Sequence, residues 1–287
     1  MGGDNTVPSP SARYQQLSIV PEEPALPSDP PAAPAGPDVP RQLRVSHRRD
    51  RWSGIERDLR GTVGPLIAGV DEVGRGPLAG PVVACAVIMP PEARAIAGVD
   101  DSKRLNAAER QRLAAKIRER AVAVGLGAAS VREIDRVNIY HATVIAMRRA
   151  LARLGVAPNY VLVDGRSIRT LDVPHSAITG GDNACYSIAC ASIVAKVTRD
   201  RVMCALANHY PNYRWERNAG YSTLAHLEGL AVHGVTPHHR RSFIPVRQLS
   251  LDLGGAPVTS AQLAELAQLA DAMRDRALDA SELEFSE

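Results

Sequence analysis

Four acidic residues occur where apolar segments of this sequence end. Asp71 and Glu72 follow LIAGV (66–70), Asp164 follows YVLV (160–163), and Asp182 lies in TGGDN, just before a run of small residues. An acid at the end of a strand places its carboxylate at a sheet edge, where a site can open. Carboxylates grouped without His or Cys select a hard divalent cation, Mg²⁺ or Mn²⁺, which also offsets their repulsion. The pattern therefore predicts a metal site of the kind used for phosphoryl transfer.

Each of these acids also has a purely structural interpretation. Asp182 could cap the following helix by accepting backbone N–H bonds, and Asp164, which precedes a glycine, could be a turn residue. Successive side chains of a strand point to opposite faces, so Asp71 and Glu72 share one site only if the chain turns there. The GRG of residues 74–76 allows such a turn.

The elements that must position these acids follow an α/β pattern. The β-rich segments 66–70 and 81–89 are joined by the glycine-rich DEVGRGPLAG (71–80), which predicts a hairpin-like pair of buried strands. Strands that pair early and then alternate with helices indicate a mixed α/β sheet flanked by helices.

Helix boundaries are marked by residue pairs that form capping boxes. Asn106 with Glu109 predicts a helix over 107–121, and Ser130 with Glu133 predicts one that continues to Gly155. From Ala184 onward, small side chains recur on one face of a further helix, so its backbone can approach the sheet closely.

The two ends of the chain differ from its middle. Ten of the 21 prolines lie in the first forty residues, so the Pro-rich and then Arg-rich extension 1–62 is predicted to be largely disordered. Residues 63–250 are predicted to form the catalytic domain, and 251–287 an acidic tail with an amphipathic helix over 261–280. The segments 1–40 and 252–287 carry charges of −4 and −6, which leaves +13 on the body between them. That charge suits a polyanionic partner.

Composition argues against several other kinds of protein. The four cysteines form no CxxC pair and lie in apolar or helical surroundings, which favours buried thiols in a reducing compartment over disulfides or zinc. No apolar run is long enough to span a membrane, and the N-terminus lacks the order of a secretory signal. A cytoplasmic location is therefore expected.

Longer stretches of the sequence closely resemble the ribonuclease HII family in order and spacing, over about residues 64–250. The stretches are AGVDEVGRGPLAGPVVACAVI (68–88), DSKRL (101–105), LVDG (162–165), GGDNACYSIACASIVAKVTRD (180–200) and GYSTLAHLEGLAVHGVTPHHRRSF (220–243). The resemblance implies a ribonuclease H-like fold with a small helical C-terminal part. It also implies hydrolysis of the RNA strand of RNA–DNA hybrids, and incision of duplex DNA on the 5′ side of an embedded ribonucleotide, leaving 3′-hydroxyl and 5′-phosphate ends.

The resemblance also assigns roles to individual residues. Asp71, Glu72, Asp164 and Asp182 match the family's four catalytic acids, which implies two-metal catalysis with Mn²⁺ or Mg²⁺. The remaining matches are substrate contacts: Gly74, Arg75 and Gly76 read the ribose 2′-hydroxyl, Tyr221 stacks on the next sugar, and Lys103, Arg104 and Lys196 lie near phosphate. Residues 238–241 (HHRR) are assigned no catalytic role.

The resemblance suggests a monomer, and a replication-clamp partner stays open. Three alternatives remain at this point. A ribonuclease HIII shares the fold but carries a folded N-terminal domain where this chain is Pro-rich. In a catalytically silent hybrid-binding protein the basic body would bind but the carboxylates would no longer gather metal, and the presence of all four acids argues against it. Another nuclease of the same fold, such as an integrase or junction resolvase, would lack the GRG and the tyrosine.

Overall fold

The computed structural model describes Trp52 and residues 54–168, 170–251 and 259–279, with no side-chain detail for residue 251 or for 273–279. The Pro-rich segment and most of the Arg-rich segment therefore lie outside the described residues. None of the described helices is long and apolar enough to cross a membrane.

Five strands form one mixed sheet in the order β3-β2-β1-β4-β5. β1 pairs antiparallel with β2, as the predicted hairpin requires, and β2 pairs antiparallel with β3. β4 and β5 extend the other side in parallel. The strands are β1 (Ile67–Val73), β2 (Val82–Ile88), β3 (Ala123–Ala129), β4 (Tyr160–Asp164) and β5 (His175–Ile178).

Helices cover both faces of the sheet and form a C-terminal cluster. The central helices lie in the order α1 (Ile55–Val63), α2 (Ala107–Arg120), α3 (Val131–Ala152), α4 (Gly181–Ala184) and α5 (Tyr186–His209). A 3₁₀ turn (Pro211–Tyr213) then leads to α6 (Trp215–Asn218), α7 (Leu224–His233), α8 (Ile244–Leu251) and α9 (Ser260–Asp279).

Both predicted capping boxes are present, at the N-termini of α2 and α3. The continuous helix predicted after Ser130 is nevertheless interrupted at Asn138, whose φ of 68° is not helical. The Asn138 side chain accepts a hydrogen bond from the backbone N–H of His141 at 3.1 Å, so it acts as a new cap for the second part of α3.

The alternating strand residues divide the core into two layers. Ala68, Val70 and Ala84 pack with α3 on one face, whereas Cys85 and Val87 pack with α2 and α5 on the other. As predicted, the small side chains of α5 are buried against the sheet. Three cysteines are buried, but Cys204 is exposed, contrary to the prediction for all four.

The folded body extends past the predicted boundaries at residues 63 and 250. In α1, the carboxylate of Glu56 is buried and accepts hydrogen bonds from the backbone N–H and the hydroxyl of Ser187, both at 2.7 Å. Glu56 thereby satisfies a free N–H in the first turn of α5 and places negative charge at its N-terminus. At the other end, Leu263 of α9 is buried in the C-terminal cluster with Leu227 of α7.

Candidate active site

Asp71 and Asp164 lie side by side on parallel strands. Their preceding residues, Val70 and Val163, are register partners in β1 and β4. Because neighbouring positions on parallel strands point to the same face, the register brings the two carboxylates together. Asp164 accepts a hydrogen bond from the backbone N–H of Gly181 at 2.7 Å, so the turn before α5 also holds it.

Glu72 reaches the same cavity although the strand does not turn at this residue. β1 continues to Val73, and the turn comes at Gly74, whose φ is +93°. The Glu72 carboxylate pairs with Arg75 at 3.3 Å across this turn. Asp71, Glu72, Asp164 and residues 74–76 all line one cavity of about 720 Å³.

Asp182 lies beside this cavity rather than on its wall. It is buried within the four-residue helix α4, and the N-cap of α5 is Cys185, so the predicted capping role is not observed. Its carboxylate accepts a hydrogen bond from the Asn183 amide at 3.1 Å and lies 3.9 Å from Nζ of Lys103.

The acids are close enough to change each other's pKa. Burial raises the pKa of Asp71 well above its usual value, and the charges of Asp164 and Glu72 raise it further. Burial, with the charges of Asp182 and Glu72, raises the pKa of Asp164 to about 6. A divalent cation would relieve this crowding of negative charge.

The four acids fit a hard divalent cation by their chemistry, since every donor is a carboxylate oxygen. Within the described part of the chain, however, no three Asp, Glu, His or Cys side chains already form a group that could hold an ion. Binding an ion would therefore draw the carboxylates closer together, which is consistent with the repulsion that raises the pKa values of Asp71 and Asp164.

Two serines that the sequence analysis did not select support the acids. Ser192 of α5 lies close enough to Asp71 to lower the pKa of its carboxyl, and the Ser192 hydroxyl lies 2.9 Å from that of Ser102. Both serines line the cavity. The spacing of Ser192 and Lys196, one helical turn apart, is a signal that could have identified the first of them.

Of the three predicted basic contacts, two line the cavity and one does not. Lys103 and Lys196 line the cavity, and Lys196 donates a hydrogen bond to Asp200 at 2.8 Å. Arg104 is exposed, lies 3.8 Å from Asp100, and is not among the cavity residues. The structure therefore places the two lysines on the cavity wall but not Arg104.

Tyr221 lines the cavity, and its carbonyl is bound by the buried His226, which is bound in turn by the buried His239. Nδ1 of His226 donates to the Tyr221 carbonyl at 2.8 Å, and its Nε2 accepts from the Trp215 indole N–H at 3.0 Å. His239 accepts the backbone N–H of Thr236 at its Nδ1, so its Nε2 carries the proton that it donates to His226. These bonds require both rings to be neutral.

This histidine pair predicts a loss of stability in mild acid. Burial lowers the pKa of His226 to about 4 and that of His239 to about 3, the latter with help from neighbouring histidines. Below pH 6.5 these two histidines are protonated in the unfolded chain but stay neutral in the folded chain. The free energy of unfolding therefore falls as pH falls. Each histidine should contribute a loss of about 2 kcal/mol between pH 7 and pH 5.

Urea unfolding of the native protein and of His226→Gln at both pH values measures this effect. The variant should lose less stability on acidification than the native protein, because the other titrating groups are common to both. His141→Gln, at an exposed position of α3, is the matched control and should behave like the native protein. Equal pH dependence in the native protein and His226→Gln would show that the pair does not titrate in this way.

The fold and the acidic cavity together define a ribonuclease H-like nuclease that uses divalent metal ions. The family model for ribonuclease HII matches residues 68–246. A ribonuclease HII from Granulibacter bethesdensis is 55% identical over 205 residues, which cover 70% of this chain and 94% of that protein. The chain belongs to the ribonuclease HII family, and its activity is that of an endoribonuclease on RNA–DNA hybrids.

Solved structures confirm the predicted fold. Ribonuclease H2 from Pyrococcus horikoshii OT3 superposes with a TM-score of 0.58 at 24% identity, covering 67% of this chain and all of that one. Bst-RNase HIII, solved in complex with Mn²⁺, has a TM-score of 0.52 at 18% identity and covers 67% of this chain and 72% of that one. At these identities the likeness shows the shared fold alone.

Proposed function

We propose that this enzyme incises duplex DNA on the 5′ side of an embedded ribonucleotide, besides cutting longer hybrids. The observation that carries this proposal is the meeting of three acids, the loop 74–76 and Tyr221 on one cavity. The acids supply the hydrolytic site, and the loop and the tyrosine supply contacts that distinguish a ribose from its deoxyribose neighbours.

The acids serve as metal ligands and not as nucleophiles. Asp71, Glu72, Asp164 and Asp182 would hold two ions, Mg²⁺ or Mn²⁺, which lower the pKa of the attacking water and stabilise the leaving 3′-oxygen. Ser192 and the backbone N–H of Gly181 orient Asp71 and Asp164 for this task. Asp182 would join these ligands from beside the cavity, next to Lys103.

The loop and the basic residues bind the substrate. Glycine at residues 74 and 76 leaves the backbone accessible, so its polar groups can contact the 2′-hydroxyl, while Tyr221 offers a ring for the following sugar. Lys103 and Lys196 place positive charge near the scissile phosphate. Arg104 lies outside the cavity lining, so its phosphate contact stays a prediction. The monomeric state, the cytoplasmic location and the clamp partner stay predictions.

A defined duplex tests the proposal. Purified protein is given a labelled DNA duplex with one ribonucleotide, the same duplex without the ribonucleotide, and a long RNA–DNA hybrid, each in Mg²⁺ or in Mn²⁺. We expect one cut on the 5′ side of the ribonucleotide, with 3′-hydroxyl and 5′-phosphate ends, and no cut in the all-DNA duplex. Cleavage of a long hybrid with no incision at the single ribonucleotide in either metal would favour a ribonuclease HIII-like specificity. Binding of the single-ribonucleotide duplex or of the long hybrid without cleavage would instead indicate a silent hybrid-binding protein.

A further inference from the structure

Two fully buried arginines lie beneath the loop that we propose reads the 2′-hydroxyl. Arg199 of α5 and Arg240 each have a relative exposure of 0%. Within the described residues neither forms an ion pair with a carboxylate, and the charge of Arg199 lies near enough to lower the pKa of Arg240, in addition to the larger effect of burial. Burying two neighbouring cations is costly unless strong hydrogen bonds compensate.

Arg240 compensates its burial with carbonyl groups of the loop. Its Nη2 donates to the Gly74 carbonyl at 2.5 Å, and its Nη1 donates to the Arg75 carbonyl at 2.7 Å. Nε and Nη2 also donate to the Gly80 carbonyl at 3.0 and 2.8 Å. One guanidinium thus joins the beginning and the end of the turn between β1 and β2.

Arg199 joins the same turn to the segment that carries Tyr221. Nη2 donates to the Ala79 carbonyl at 3.0 Å, Nε to the Pro81 carbonyl at 3.0 Å, and Nη1 to the Ala219 carbonyl at 2.9 Å. A Cβ atom on Gly74 would lie 2.1 Å from Nε of Arg199, so the loop rests directly on this side chain. The two proposed substrate-reading segments therefore share one buried support.

These bonds also orient the donors of the loop. In a trans peptide the carbonyl and the next residue's N–H point in opposite directions, and the described chain contains no cis peptide. Since the carbonyls of Gly74 and Arg75 point down to Arg240, the N–H groups of Arg75 and Gly76 point away from it, on the side of the cavity that these residues line. No acceptor among the described residues takes either N–H.

We propose that Arg240 and Arg199 are positioning residues for ribose recognition: they hold the loop so that the N–H groups of Arg75 and Gly76 face the 2′-oxygen. This inference rests on the proposed function of that loop. Arginine suits the task because its planar fork fixes several acceptors at once and stays charged when buried. A lysine at either position could satisfy only part of the set.

The test compares a ribonucleotide with a 2′-fluoro nucleotide at the same site of a DNA duplex. Fluorine is a poor hydrogen-bond acceptor, so the ratio of kcat/KM for the two substrates reports the contact with the 2′-oxygen. We expect the ratio to fall by about tenfold or more in Arg240→Met, since a charge-free side chain leaves the carbonyls unsupported. The fall should be smaller in Arg240→Lys and Arg199→Lys. For the ribonucleotide substrate kcat should fall while KM changes little, because the phosphate contacts lie on other residues.

Arg153→Met is the matched control, because Arg153 also donates to a main-chain carbonyl, that of Leu126 at 2.8 Å. Arg153 is exposed, however, and Leu126 lies on the edge strand β3. Its ratio should equal that of the native protein. Thermal unfolding identifies folded variants, and the two lysine variants decide the question if Arg240→Met does not fold. A native enzyme without discrimination overturns the proposed role of the loop. A discriminating native enzyme whose folded arginine variants keep the ratio within twofold overturns the positioning role alone.

Discussion

Asp71→Asn is expected to reduce cleavage of the single-ribonucleotide duplex by at least about 10³-fold, which corresponds to about 4 kcal/mol of transition-state stabilisation. Asp71 precedes Glu72 in sequence and lies beside Asp164 on the neighbouring strand, and the charges of both act on it. An amide keeps the shape of the carboxylate but removes a charged metal ligand. Single-turnover rates at saturating Mg²⁺ and Mn²⁺ measure the loss.

The same variant should not lose stability in the absence of metal. Burial and the charges of Asp164 and Glu72 raise the pKa of Asp71. The ionised carboxylate is therefore less stable in the folded chain than in the unfolded chain. Removing the charge should leave the metal-free melting temperature unchanged or higher, and added Mn²⁺ should stabilise the variant less than the native protein.

Asp172→Asn provides the matched control for this experiment. Asp172 is an exposed acid with a φ of 60°, a conformation that asparagine also adopts readily, and it pairs with Arg148 away from the cavity. This variant should cleave at the native rate. If Asp71→Asn also cut at close to the native rate, Asp71 could not be a metal ligand.

Gly69→Ala is expected to destabilise the protein by about 3 kcal/mol or more and to reduce activity with it. A Cβ atom on Gly69 would lie 2.2 Å from the backbone carbon of Ser187 and 2.3 Å from the backbone nitrogen of Ile188. Backbone atoms cannot rotate away as a flexible side chain can, so α5 would have to move off β1. That movement would also displace Ser192 from Asp71.

Urea unfolding of the variant measures the destabilisation, and Gly61→Ala is its control. Gly61 lies in the exposed part of α1 with open space around its Cβ position, so alanine there should raise the free energy of unfolding by about 0.5–1 kcal/mol. If Gly69→Ala lowers the free energy of unfolding and Gly61→Ala raises it, the close approach of α5 to β1 at Gly69 causes the effect. Equally small changes in the free energy of unfolding of the two variants would contradict this explanation.

Local patterns determined the secondary structure well. The capping pairs at Asn106 and Ser130 placed two helices within a few residues, because a cap depends only on side chains three positions apart. The break at Asn138 was not predicted, since the apolar spacing continues through it and the new cap forms only in that backbone conformation. The role of Glu56 was also not predicted, because its partner Ser187 is 131 residues away.

The ends of the apolar segments determined which acids to consider and where Asp71 and Asp164 would lie, and the family motifs then implied a catalytic role for all four. Only the tertiary structure decided that Glu72 reaches the cavity without a turn, that Asp182 lies beside it, and that Arg104 lies away from it. It alone also placed Arg199 and Arg240 beneath the loop. The physical reason is that a buried cation satisfied by main-chain carbonyls leaves no residue-type signal in sequence, since its partners are peptide groups that every residue carries.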